Sequence, residues 1–239
     1  MNENNERSLR FEVAFNRIHQ QLKQLALKSD QHSFMEILHD CARSHASVRS
    51  HLDELKQFAK LRNAIVHQKI NAEFYIAEPH ENIVKRIEQI DALLSQPASA
   101  LSIASQPVCI VELHTPFVRV LHMIQELSYS EYPVFDQGTC KGILTGEEML
   151  KWMAHQQTDN HIPLHEVTVR DLLSEQSRSK VAFIKKDANI FEVEHLFENY
   201  QSNNQKLEAI LITPNGTSKE LPIAMITSWD LTKTNDQII

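Results

Sequence analysis

Apolar residues recur at helical spacing through the first third of the chain. Between positions 11 and 25 they are separated by three or four residues, at Phe11, Phe15, Ile18, Leu22 and Leu25. This spacing places the side chains on one face of a helix over about 6 to 28. The sequence SFME at 33 to 36 has the pattern of a capping box, in which Ser33 and Glu36 each accept a hydrogen bond from the other's backbone amide. A second helix is therefore predicted to begin at Ser33.

Two further helices complete the predicted bundle. The serine-rich stretch 44 to 50 is expected to break or kink the second helix, and a third then continues to about residue 69. Its apolar face consists of Leu55, Phe58, Leu61 and Ile65. Pro79, at a first-turn position, is expected to open the last helix. The stripe that this helix buries consists of Ile83, Ile87, Ile90 and Leu94. The first part of the chain is thus predicted to be a bundle of four or five helices.

From about residue 101 the pattern changes to short β-branched and aromatic runs, and it occurs twice. The first copy has predicted strands near CIVEL, at YPVF and at KGILT, with one helix after the first strand and another after the third. The second copy has strands at VAFI, AILI and IAMIT, a helix over 190 to 200 and a hairpin turn at PNG. Both copies are β-α-β-β-α units. The predicted fold class is α+β: an N-terminal all-α helical bundle followed by a tandem pair of these units.

Composition divides the chain at the same place. All four glycines follow residue 97, and seven of the eight prolines lie at or after it. Residues 1 to 97 carry 13 Lys and Arg against 13 Asp and Glu, so the rest of the chain, with 24 − 13 = 11 against 31 − 13 = 18, carries the whole net charge of −7. We therefore predict a helical domain over 1–97, a joint over 96 to 107 and a second domain over 101–235. Its first motif covers about 101–157 and its second about 164–235.

Composition also narrows the classes of function. The chain shows no apolar run of membrane-spanning length and no signal segment, so we expect a cytoplasmic protein that does not enter a membrane. Its three cysteines form no CxxC pair, which argues against a disulfide framework or a thiolate metal site. We predict no metal site and no required cofactor. The neutral first domain also lacks the basic stripe of a general RNA-binding protein.

The third helix carries polar residues beside its apolar face, in the sequence RNAIVH. Arg62, Asn63 and His67 lie off the buried stripe. The motif resembles the RNxxxH signature of the HEPN (higher eukaryotes and prokaryotes nucleotide-binding) domains, small helical bundles that pair as dimers. This resemblance implies a homodimer and a metal-independent endoribonuclease site, in which a histidine handles protons and an arginine stabilises the phosphate. A purely structural role for the three residues is the alternative.

The repeated units resemble a tandem pair of CBS (cystathionine-β-synthase-type) motifs, the Bateman module. The landmarks are YPV, KGILTxxE, MITxxD and the sequence TVRDLL, which introduces the second copy. The resemblance implies a cleft that binds an adenosine-containing ligand, with AMP, ADP, ATP or a related molecule as the effector. By this resemblance Thr227 contacts phosphate or ribose and Asp230 accepts from the ribose hydroxyls. Thr145 and Glu148 are their counterparts in the first copy.

The resemblance also implies an adenine-binding surface on the first strand of each copy. The candidate contacts are Ile110, Val111, Ala182, Phe183 and, nearby, Tyr132. A carboxylate can accept from two vicinal hydroxyls at once, so the placement of Asp230 suits a ribose. The sequences TGEE and TSWD are also capping boxes that helix starts use without any ligand. We expect the Thr227/Asp230 cleft to be the better ligand site, because Glu148 stands where the motif usually has an aspartate.

Three functions stay open on the sequence alone. The first is an adenine-nucleotide-sensing regulator in which the CBS pair controls a HEPN-like helical dimer. The second is the same device with a working RNxxxH nuclease site, for which RNA is the substrate. The third is a non-enzymatic partner-docking protein whose CBS clefts are empty.

Overall fold

The computed structural model describes residues 3–26, 32–67, 78–156 and 164–232. The chain divides into two compact units, Met1–Ala98 and Ser99–Ile239, and the division falls inside the predicted joint. We call them the helical unit and the repeat unit, and each is described by itself.

The described part of the helical unit contains five helices. They are α1 (Glu3–Leu25), α2 (Phe34–Ser44), α3 (Ala46–Arg49), α4 (Leu52–His67) and α5 (Glu81–Ser95). The capping box predicted at Ser33 is confirmed: Ser33 Oγ accepts from the Glu36 amide, and Glu36 Oε2 accepts from the Ser33 amide at 2.8 Å. These hydrogen bonds, the backbone one first, hold the pKa of Glu36 below its ordinary value. The break predicted over 44 to 50 falls between α2 and α4, where the short α3 intervenes.

The apolar stripes of α1 and α4 form the core of the helical unit. Phe11, Ile18, Leu22, Leu55 and Ile65 are fully buried. Arg10 of α1 joins α5 through two hydrogen bonds to Glu88, at 2.9 and 2.7 Å, and two to Glu81, at 3.2 and 3.3 Å. The hydrogen bond from Arg10 lowers the pKa of Glu88.

The expected start of α5 was wrong by two residues. Pro79 precedes the helix, and the N-cap is His80, whose Nδ1 accepts from the Asn82 amide at 3.3 Å. Because the His80 ring nitrogen accepts from the Asn82 amide, His80 caps the helix, and the first helical residue, Glu81, lies two positions after Pro79. The buried stripe also differs at one position, since Val84 is fully buried and Ile83 only partly.

The repeat unit contains two three-stranded sheets of identical plan. The first repeat supplies β1 (Val111–Glu112), α6 (Phe117–Leu127), β2 (Glu131–Asp136), β3 (Thr139–Thr145) and α7 (Gly146–His155). The second supplies α8 (Val169–Leu172), β4 (Val181–Lys185), α9 (Ile190–Ser202), β5 (Ala209–Thr213) and β6 (Ala224–Ile226). In each sheet the first two strands are parallel and the last two antiparallel. The predicted α+β fold class is confirmed, although most of the last predicted helix lies outside the described residues.

Apolar side chains from both sheets meet in a shared core. Phe135, Cys140 and Ile143 of the first sheet cluster with Val181, Ala209 and Leu211 of the second. A second cluster, which includes Val111, Phe117 and Tyr132, fills the space between the first sheet and its helices. Successive strand residues point to opposite faces, so β2 and β3 of the first sheet each contribute to both clusters.

The hairpin predicted around PNG is present, since β5 and β6 pair antiparallel, but its connection is longer than these three residues. After β5 the chain makes a longer connection over 214 to 223, in which Asn215 pairs with Lys185. Glu220 fixes this connection by accepting from the side chain and the backbone amide of Asn215, at 2.5 and 2.9 Å. These hydrogen bonds lower the pKa of Glu220 to about 2. Because the Glu220 carboxylate accepts from backbone amides of this connection, β5 and β6 can be joined by a connection longer than a tight turn.

Candidate functional site

Asp230 lies in a turn directly after β6, and its carboxylate is almost completely buried, with 3% of the residue exposed. Oδ2 accepts from the Thr227 amide at 2.9 Å and from the Thr227 hydroxyl at 3.0 Å. Oδ1 accepts from the Ser105 hydroxyl at 3.4 Å. One hydroxyl donor therefore faces each oxygen of the carboxylate.

Ser105 reaches this carboxylate because its backbone extends the second sheet. The Ser105 amide donates to the Met225 carbonyl at 2.8 Å, and the Met225 amide donates to the Ser105 carbonyl at 3.1 Å. The same stretch is tied to the second repeat at Ala100, whose amide donates to the Ala188 carbonyl at 2.9 Å. The segment that enters the repeat unit from the helical unit thus runs beside Asp230.

Glu148 occupies the equivalent place in the first repeat, at the start of α7, and only 5% of it is exposed. Its Oε2 accepts from the Thr145 amide at 3.3 Å, which completes a capping box with Thr145. Its Oε1 accepts from the Ser174 hydroxyl at 2.8 Å, from the Ser177 hydroxyl, and from the Lys180 ammonium at 3.2 Å. Glu148, Ser174, Ser177 and Lys180 form what we call the Glu148 cluster.

The segment that carries two members of the Glu148 cluster packs against β3 at Gly142. This segment, Glu175–Lys180, forms a 3₁₀ helix directly before β4. A Cβ built on Gly142 would lie 2.8 Å from the Ser177 carbonyl carbon and 2.9 Å from the Arg178 nitrogen. The φ of Gly142 is +148°, a conformation that side-chain-bearing residues rarely adopt. Glycine at this position allows the segment to approach β3 closely enough to reach Glu148.

The neighbouring carboxylate, Glu147, has an opposite environment. Its side chain is about half exposed and pairs with Lys151 at 2.6 Å and with Lys206 at 3.2 Å. The hydrogen bond from Lys151, followed by that from Lys206, lowers the pKa of Glu147 to about 2. Glu147 therefore belongs to a solvated network of ion pairs. Glu148, the next residue of the same helix start, is buried and belongs to the Glu148 cluster.

The five candidate adenine contacts lie on different faces of the sheets. Ile110 and Phe183 are partly buried against the shared core between the sheets. Val111 and Tyr132 belong to the cluster under α6 and α7, where the Tyr132 hydroxyl donates to the Tyr129 carbonyl at 3.1 Å. Burial raises the pKa of Tyr132. Ala182 is buried and, because strand residues alternate, points away from the face that Phe183 occupies.

The residues of the RNAIVH motif lie at the end of α4. Arg62 is half-buried and Asn63 is exposed, and neither forms a hydrogen bond or ion pair with another residue in the described ranges. The helix backbone extends to His67, whose side chain lies outside the described part of the structure. The structure thus places Arg62 and Asn63 off the core stripe, as their spacing predicts.

Ser105, Ser174 and Ser177 are site residues that the sequence analysis missed. Each is an ordinary serine, separated from its carboxylate partner by 125, 26 and 29 residues respectively. No local motif marks such contacts. The close approach at Gly142 was the available signal, since glycine inside a strand often marks a place where another backbone comes near.

Within the described part of the chain, no group of three or more His, Cys, Asp and Glu side chains is arranged to hold a metal ion. No helix in the same ranges has the length and apolar character needed to cross a membrane.

The first repeat matches a known protein family. Residues 100–155 match the family model of the CBS domain. The match covers the first repeat, from the segment before β1 through α7, and therefore contains Ser105, Thr145 and Glu148. The second repeat has the same order of strands in its sheet. No curated protein matches the sequence significantly.

Solved structures of CBS-domain proteins are also similar to the chain. A CBS domain-containing protein of unknown function from Kribbella flavida is 17% identical, with a TM-score of 0.45, and the match covers 58% of this chain and 99% of that one. The CBS domain pair of protein MJ0100, in complex with 5′-methylthioadenosine and S-adenosyl-L-methionine, is 15% identical over 59% of this chain and 98% of its own, with a TM-score of 0.45. A putative acetoin utilization protein, AcuB, from Vibrio cholerae is 13% identical over 60% and 93%, with a TM-score of 0.43.

Proposed function

We propose that the repeat unit binds an adenine nucleotide, such as AMP, ADP, ATP or a related adenosine ligand, at Thr227 and Asp230. The observation that carries the proposal is the pair of hydroxyls around Asp230. Thr227 donates to one carboxylate oxygen and Ser105 to the other. The 2′- and 3′-hydroxyls of a ribose form the same kind of donor pair, and a carboxylate accepts two such donors at once.

A ribose would bind by exchanging hydroxyl donors at Asp230. A buried carboxylate that loses a donor is penalised unless another donor replaces it, and ribose hydroxyls meet this requirement. The Ser105 hydrogen bond, at 3.4 Å, is long for an O–H···O bond and is the first that a ligand would replace. The Thr227 amide would continue to hold Oδ2. The site therefore favours a ligand with a free vicinal diol, which is the feature that separates ribonucleosides from deoxyribonucleosides.

The substitution Asp230→Ala tests this assignment. It should weaken binding of an adenosine nucleotide by about 1.5 to 3 kcal/mol, the range for hydrogen bonds to a charged group. It should also remove the preference for ribose over 2′-deoxyribose, because Asp230 is the group proposed to read the hydroxyls. Isothermal titration calorimetry of both ligands against both proteins measures the two effects.

Asp187→Ala is the matched control for that experiment. Asp187 belongs to the same repeat, is well exposed and pairs with Lys185 at 3.4 Å. Its loss should leave both affinities unchanged. If Asp230→Ala binds the ribose and deoxyribose ligands as tightly as the unaltered protein, Asp230 serves the turn alone and the proposed site is wrong.

We further propose that the nucleotide regulates the helical unit through the segment that enters the repeat unit. A ribose that replaces the Ser105 hydroxyl would free the side chain of a residue that follows the helical unit by only a few positions.

The helical unit would be a HEPN-like bundle that pairs as a homodimer, with the face of Arg62 and Asn63 opposite its copy. Light scattering should then give the mass of two chains, and a monomer at high concentration would contradict this arrangement.

RNA cleavage is the second candidate output. It is favoured by Arg62 and Asn63, which stand off the core and have no partners among the described residues. A metal-independent nuclease should cleave single-stranded RNA in EDTA and leave 2′,3′-cyclic phosphate ends. His67→Ala should slow this cleavage by about 10²- to 10⁴-fold while the protein stays folded. RNA that stays intact with and without each adenine nucleotide would exclude this output and leave a non-catalytic regulator.

A further inference from the structure

A lysine ammonium is among the donors that surround Glu148, the carboxylate that follows the last strand of the first repeat. Glu148 accepts from hydroxyls and an amide, and its Oε1 also contacts the Lys180 ammonium at 3.2 Å. The ion pair is largely buried, with 5% of the Glu148 side chain and 17% of the Lys180 side chain exposed, and Ser177 is fully buried, whereas Ser174 is exposed. The first repeat thus supplies its carboxylate with a cation from the chain itself.

Groups of the chain surround Oε1 of Glu148. The Lys180 ammonium and the Ser174 and Ser177 hydroxyls lie within hydrogen-bond distance of this oxygen, and the Thr145 amide donates to Oε2. The two serine hydroxyls also lie 2.9 Å from each other, so one of them can donate to the other instead of to Glu148. A ligand hydroxyl could reach Oε1 only by displacing one of these groups. Displacing Lys180 would leave two buried charges without their partners, which is strongly unfavourable.

The backbone around the Glu148 cluster holds it closed. The segment Glu175–Lys180 lies against Gly142, where even a methyl group would collide with it. The same segment continues directly into β4, and the Lys180 carbonyl accepts from the Glu208 amide at 2.8 Å. Lys180 is therefore held from both sides, by the second sheet through its backbone and by Glu148 through its side chain.

We infer that Lys180 acts as a built-in cation that closes the Glu148 position to ligands. The repeat unit therefore takes at most one nucleotide for each chain, at Asp230. The closing of the Glu148 position by Lys180 follows from the Glu148 cluster alone. Only the binding of the single nucleotide at Asp230 rests on the proposed function. The near-symmetric repeats are thus divided between the Glu148 position, which joins the repeats, and the Asp230 position, which binds.

Amine labelling of the protein, with both units present, tests the closed position directly. An acylating reagent such as acetic anhydride, followed by mass spectrometry, gives the labelling rate of each lysine. Lys180 should react at least about tenfold more slowly than Lys185, because its ammonium must first leave a charged hydrogen bond. Lys185 is the matched control, since it lies in the same repeat and 55% of its side chain is exposed. Glu148→Gln should raise the rate at Lys180 toward that of Lys185.

The same labelling is repeated with saturating ATP and AMP, alongside calorimetric counting of bound nucleotides. Protected Lys180 under all conditions, with one nucleotide bound for each chain, supports the inference and the proposed function together. Protected Lys180 with no nucleotide bound supports the closed position and rejects the proposed function. A Lys180 rate equal to that of Lys185, a rate that the nucleotide raises to that level, or two nucleotides for each chain would overturn the inference.

Discussion

Replacing Gly142 by alanine is expected to lower the free energy of unfolding by about 2 to 5 kcal/mol. Two effects add at this position. The φ of +148° is strained for any residue with a side chain, and the new Cβ would lie under 3.0 Å from backbone atoms of Ser177 and Arg178. Backbone atoms cannot rotate away as a flexible side chain can, so the segment Glu175–Lys180 must move. Urea denaturation monitored by circular dichroism measures the loss.

The other glycines of the first repeat separate the two effects. Gly138 has a φ of +74° but nothing within 4 Å of an added Cβ, so Gly138→Ala should cost only the conformational strain of about 1 kcal/mol. Gly146 has neither feature, and Gly146→Ala should be neutral or slightly stabilising. If Gly142→Ala is no more destabilising than Gly138→Ala, the close packing of the segment on β3 is wrong.

Replacing Lys180 by methionine is expected to cost roughly 3 kcal/mol of unfolding free energy, a value typical of removing one partner from a buried ion pair. Methionine keeps much of the apolar stem and removes the charge. The carboxylate of Glu148, only 5% exposed, would then stay buried without its cation. The double variant with Glu148→Gln should recover part of the loss, because the unpaired charge is removed as well.

Lys185→Met provides the comparison for Lys180→Met. Lys185 also contacts a carboxylate, at 3.4 Å, but both partners of this pair are more than half exposed. Exposed pairs contribute about 0 to 1 kcal/mol, so this substitution should have little effect. Equal effects of the two substitutions in urea denaturation would show that the ion pair of Glu148 and Lys180 is not buried in solution as it is in the structure.

Local patterns predicted the fold well, because helices and strands follow from spacing and from residues close in sequence. The capping box at Ser33 needs only Ser33 and Glu36, and both of its hydrogen bonds are present. The stripe from Phe11 to Leu22 is buried as its spacing predicts. The errors came where a second local donor or acceptor intervened. His80 caps the last helix, which therefore begins after Pro79 and not at it, and Glu220 stabilises a connection between β5 and β6 that is longer than the predicted turn.

The sequence predicted only those contacts of the candidate site that join residues close together in the chain. Thr227 with Asp230, and Thr145 with Glu148, are pairs three residues apart and were found from their sequence pattern. The partners that distinguish these two carboxylates are distant in sequence. Ser105 comes from the segment before the first repeat, and Lys180 from the segment before β4. Tertiary structure alone brings them to the carboxylates, so sequence spacing cannot show which of the two is closed.

The melting temperature of the protein with and without ligand shows whether the repeat unit binds an adenosine nucleotide. An adenosine nucleotide at 100 times its dissociation constant should stabilise the folded protein by about 2.7 kcal/mol and raise the melting temperature by several degrees. The matching 2′,3′-dideoxyadenosine nucleotide, which lacks both ribose hydroxyls, should produce a much smaller shift at the same concentration. An unchanged melting temperature with AMP, ADP, ATP and S-adenosyl-L-methionine at millimolar concentration would contradict the account.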